Sequence, residues 1–132
     1  MSTTLDQPLT ITITRQYHGL QASTRLSLGT ITTDHYSDGT PQPAERILEI
    51  TTSKRESGGI ASTAHVYLEA GNTKTFAIFG DYRSARLTPK NHLRATEKNI
   101  RLIHAEALQQ AERLVEEAHA FYARKAVPEI TF

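Results

Sequence analysis

Apolar and polar residues alternate with a period of two in five stretches of the first 79 positions, and with a helical period over the last quarter of the chain. In the first stretch, residues 9–15, Leu9, Ile11 and Ile13 share one face and Thr10, Thr12 and Thr14 the other. His18-Gly19 supplies a tight turn. The second, 22–32, alternates through Thr24, Leu26 and Leu28, with Gly29 marking a bulge or the point where Ile31 changes face. Residues 34–43, with Asp38-Gly39 and two prolines, read as one long exposed loop.

The third stretch, 46–53, alternates through Leu48 and Ile50, and 54–59 follow as a hairpin connection ending in Gly58-Gly59. The fourth, 60–69, sets Ile60, Ser62, Ala64, Val66 and Leu68 against Ala61, Thr63, His65, Tyr67 and Glu69. Gly71-Asn72 turns the chain into the fifth, 73–79. Connections this short leave no room for crossover helices. The pattern therefore predicts an α+β fold: an antiparallel five-stranded β-meander followed by one long C-terminal amphipathic helix packed on the sheet. The threonine-rich face is left to solvent.

The helix is expected over 96–126, with Thr96 as N-cap. Ile100, Ile103, Ala107, Ala111, Leu114, Ala118 and Phe121 recur at helical spacing, flanked by Leu108, Val115 and Tyr122. Such a helix runs about 45 Å, against a diameter of about 36 Å for a compact chain of this size. Part of the stripe should then overhang its own domain. From this we expect a homodimer, with Leu108, Ala111, Val115, Ala118 and Tyr122 at the interface. The whole chain, 1–132, fits a single domain: sheet 9–79, connector 80–95, helix 96–126 and tail 127–132, where the tail after Pro128 is short enough to add as an extra strand.

Composition narrows the function classes. An apolar share of 38% with 22% charged residues is that of a globular domain. With 0 cysteines, disulfides and thiolate metal sites are excluded. No stretch has the length of a membrane span and no leader pattern opens the chain, so no membrane partner and a cytoplasmic location are expected.

The net charge of +1 is too mild to imply nucleic acid alone, but the charge is unevenly spread. From Tyr82 to Arg101 the cations are Arg83, Arg86, Lys90, Arg94, Lys98 and Arg101, Glu97 is the only acid among them, and Tyr82 and Phe79 stand nearby as stacking surfaces. This segment suits an acidic partner, nucleic acid first and single-stranded among its forms, because backbone charge and aromatic faces supply most such affinity. A solvated flank with Glu97 pairing to Arg101 accounts for the same charges. So does antiparallel pairing of two copies, the basic first half of the flank meeting Glu112 and Glu116.

Six histidines, His18, His35, His65, His92, His104 and His119, form no pair at i,i+4, and no metal-ligand or nucleophile motif is present. No metal, cofactor or catalytic residue is therefore expected. His104, at the border of the apolar stripe, reads as a satisfied interfacial histidine. Asp34 and Asp38 lack the oxygen-ligand alternation of a calcium loop. Asp81 has His92 and Arg94 as conceivable partners, too thin a basis for an enzyme. The resulting expectation is a non-catalytic homodimeric binding module, with a small accessory or inhibitor protein that binds another protein as the alternative.

Overall fold

A computed structural model of the chain describes residues 7–17, 19–33, 42–56, 58–70, 73–76, 84–88 and 91–126. Long alternating segments become long strands. The body of the sheet is a four-strand antiparallel meander of β1 (Thr12–Gln16), β2 (Gly19–Thr33), β3 (Gln42–Lys54) and β4 (Ile60–Ala70). The far edge of β4 is divided between two short segments, β5 (Thr73–Phe76) beside Tyr67–Ala70 and β6 (Ser84–Arg86) beside Thr63–His65. The fifth full strand expected from the pattern is thus a four-residue strand, its remaining positions 77–79 lying outside the described residues. The connector 80–95, to which the pattern assigns no strand, contributes β6. Residues 34–41 and the tail 127–132 also lie outside the described residues.

Register explains the core. Leu26, Leu48 and Val66 lie side by side across β2, β3 and β4, as do Thr24, Ile50 and Ala64 one step along. Pairing shifts between Ser27 and Gly29, where Gly29 takes φ 111°, a bulge conformation that disfavours any residue with a Cβ. The extra residue returns Ile31 to the side of Leu26, where it packs with Ala44 and Leu68. β1 covers β2 only as far as Ser23. Beyond it, the Gln7 side chain takes over the ladder, donating to Ser27 O at 2.8 Å and accepting from Ser27 N at 2.6 Å.

The expected single helix is two: α1 (Glu97–Leu108) and α2 (Ala111–Ala126). Thr96 caps α1 as its sequence suggests, extended at ψ 160° with its hydroxyl accepting from Asn99 N at 3.2 Å. At the break the hydrogen bonds tighten to i→i−3, Gln109 N to Glu106 O at 3.2 Å and Gln110 N to Ala107 O at 3.0 Å. Gln110 then restarts the ladder by accepting from Leu114 N at 2.9 Å, while its side chain donates to Leu87 O at 2.7 Å.

Both helices lie along one sheet face. Ile100 and Ile103 pack with Ala22 and Ile60 near the β1–β2 turn. Ala107, Ala111, Leu114, Val115, Ala118 and Tyr122 cover Leu26, Leu28, Leu48, Ile50, Ala64 and Val66 farther along. Arg46 closes the far end, its guanidinium 3.7 Å from the centre of the Tyr122 ring.

This overturns the overhang. Ala111, Val115, Ala118 and Tyr122, assigned from sequence to a second subunit, are buried within one chain, and Leu108 is packed against the same cluster. The reason is the shape of the sheet: the 15 residues of β2 span about 50 Å at about 3.3 Å each, so the sheet is as long as the helices it supports. Among the described residues no helix is long and apolar enough to cross a membrane.

Candidate basic cleft at the hairpin end

In a meander the first and third turns fall at the same end of the sheet. Here these are the turn between Gln16 and Gly19 and the one between Lys54 and Ile60. The second is closed by Arg55 N donating to Gly59 O and Gly58 N donating to Arg55 O, both at 3.0 Å. The segment entering α1 is fastened beside it. Asn91 pairs with Ile60 as another strand would, donating from Nδ2 to Ile60 O at 2.8 Å and accepting at Oδ1 from Ile60 N at 3.0 Å. Gly59, at φ +84°, allows this approach, since a Cβ there would lie 2.1 Å from Asn91 O.

Three separate parts of the chain thus meet. A cleft of about 450 Å³ is lined by Gly19, Lys54, Gly59, Leu93, Arg94, Ala95 and Thr96. Lys54 also borders a second, of about 700 Å³, lined by Tyr17, Arg55 and Glu56. Lys54 and Arg94 are exposed, Arg55 is half-buried, and the N-terminus of α1 adds its partial positive charge at the Thr96 end. Tyr17 is fully exposed.

Of the cations singled out from sequence, Arg94 lines this cleft, and Lys98 and Arg101 are exposed on α1. Arg101 donates from Nε to Glu97 Oε2 at 2.9 Å, the i,i+4 pair expected, an exposed contact worth a few tenths of a kcal/mol. Arg86 lies in β6 opposite Thr63, while Tyr82, Arg83 and Lys90 fall outside the described residues, as do Phe79 and Asp81. Sequence reasoning missed Lys54, Arg55 and Tyr17. Their signal was the meander itself, which sets alternate turns together.

His104 is fully buried between α1 and the sheet. Its Nε2 lies 2.8 Å from Thr24 Oγ1 and its Nδ1 2.7 Å from Thr52 Oγ1, which in turn lies 2.5 Å from Ser62 Oγ. Hydroxyls rotate, so either neutral tautomer satisfies the whole chain. Burial lowers its pKa to about 4.

The opposite sheet face is less open than its threonines suggest, because Ile47, Glu49 and Tyr67 are buried there. His65 Nε2 lies 3.9 Å from Glu49 Oε1, and Arg25 is hydrogen-bonded to Glu69, which raises the guanidinium pKa. Burial, reinforced by Glu49, holds the Tyr67 hydroxyl above its ordinary range. Among the described residues no three acidic or histidine side chains are grouped so as to hold a metal ion.

No family model, curated protein or solved structure matches this chain. The reading of the cleft rests on its own geometry.

Proposed function

We propose that this protein is a non-catalytic binding module whose hairpin end contacts an acidic partner, nucleic acid first. One observation carries the reading: Lys54, Arg55 and Arg94, from two regions far apart in sequence, border adjoining clefts beside a helix N-terminus. A chain with net charge of only +1 has little electrostatic attraction as a whole, so a local concentration of cations is what a polyanion would find. Asn91 supports the reading by fastening the Arg94 segment to the turn that carries Lys54, so that the charges need not be ordered on binding.

The test is anisotropy of a labelled oligonucleotide titrated with the protein at several salt concentrations. Three cations neutralising three phosphates give a slope of about −2 in log affinity against log salt for a single strand. Lys54→Glu with Arg94→Glu should abolish binding. Affinity that ignores both salt and charge reversal would reject the proposal. Nuclease-resistant capture of one specific protein, equally indifferent to the reversal, would support the alternative of an accessory protein.

A further inference from the structure

Among the described residues the large apolar side chains left exposed are Leu9, Tyr17, Leu93 and Leu102. Two of these four border the basic clefts: Leu93 beside Arg94, and Tyr17 beside Lys54 and Arg55. Tyr17 is the extreme case, held by the tight turn that joins β1 to β2 and shielded on neither ring face. An aromatic ring in water next to cations has the makings of a stacking platform, since every base offers a π-face while its phosphate needs a counter-charge.

The acid in the neighbourhood orders the two functions. Lys54 borders both clefts; Glu56 lies with Arg55 at the Tyr17 end, and the Arg94 end carries the α1 N-terminus with no acid among the described residues of its wall. Two cations against one acid leave the first end only weakly positive, so a phosphate is drawn more strongly to the second. A base, uncharged and flat, suits the first.

We propose that Tyr17 stacks on an unpaired base of single-stranded nucleic acid whose adjacent phosphates lie against Lys54 and Arg94. The inference rests on the reading of the cleft as a polyanion site and adds to it the class of nucleic acid. A duplex keeps its base faces stacked inside, so it can satisfy the cations but not the tyrosine. An acidic polypeptide offers carboxylates but no base to stack.

The experiment titrates four probes at low salt: labelled oligothymidylate, a duplex of equal length, inorganic polyphosphate and polyglutamate. The proteins are the wild type, Tyr17→Ala, Tyr17→Phe and the double variant Lys54→Glu/Arg94→Glu. The wild type should bind oligothymidylate more tightly than duplex. Tyr17→Ala should weaken oligothymidylate binding by roughly 5- to 150-fold, the loss of one stacked base, and leave polyphosphate binding unchanged. Tyr17→Phe should stay within about twofold of wild type, because the ring and not the hydroxyl makes the contact. If Tyr17→Ala binds oligothymidylate as the wild type does while the double variant loses it, the stacking role is wrong and the polyanion cleft stands. If polyglutamate binds more tightly than oligothymidylate, nucleic acid is the wrong partner. If the wild type holds none of the four, both readings fall. Because Tyr17 is fully exposed, unchanged thermal midpoints should accompany its variants.

Discussion

Two residues do work at single-atom scale that no neighbour could take over. Gly59 must combine a positive φ with a backbone carbonyl where its Cβ would be, so Gly59→Ala forces the Asn91 segment away from Ile60. We expect a loss of more than about 1 kcal/mol in urea denaturation, since conformational strain and lost hydrogen bonds act together. Weaker oligonucleotide binding should accompany it, because Arg94 moves with Asn91. His104 governs the response to acid. In the unfolded chain it binds a proton near 6.5, in the folded chain near 4. Between these values the unfolded state holds more protons, so stability is full above about 6.5 and falls by about 3 kcal/mol as pH drops to about 4. His104→Gln can bridge the same hydroxyls without titrating, and its stability should fall less over that range; equal slopes for the two proteins would show that His104 is not the group responsible. The buried, satisfied state of His104 is legible in the sequence from its place at the edge of the apolar stripe. Its partners Thr24 and Thr52 are not, because which hydroxyl on the greasy face meets the ring depends on how the helix is seated.

Elements with a strong period are legible and those without one are not. The strands β2, β3 and β4 follow from alternation between turn residues, the bulge from Gly29 inside a strand, and the start of α1 from Thr96. β6 is invisible because Ser84-Ala85-Arg86 is too short to show a period and becomes a strand only by lying against β4. The helix break is invisible for a different reason. Neither glycine nor proline marks it, and the apolar spacing runs from Ala107 to Ala111 straight across. What makes the break is tertiary: Gln110 turns its side chain to the carbonyl of Leu87, and the backbone tightens around it. Gln110→Ala removes that tether and leaves a good helix former in its place. We expect a net loss of about 1 kcal/mol or less, with the Gln109 and position-110 amides exchanging more slowly as the ladder runs through. An unchanged exchange pattern would place the cause of the break elsewhere.

At the scale of the whole molecule, length decides whether the sheet can cover the helical stripe. The estimate that the helical stripe overhangs compares a rod with a sphere of the same volume, and the molecule is not a sphere. Its longest strand and its pair of helices have nearly the same reach, so the apolar residues of one cover those of the other from Ile100 to Tyr122. Among the described residues Leu102, at 56% exposure, is the one large apolar side chain exposed on the helices, well short of the contiguous patch a stable symmetric interface requires. We therefore expect light scattering at micromolar concentration to return the mass of one subunit, 14.7 kDa. A mass of twice that value, undone by Leu102→Lys, would mean that the outer face of α1 and not the buried stripe holds two copies together, on a surface the periodicity does not single out.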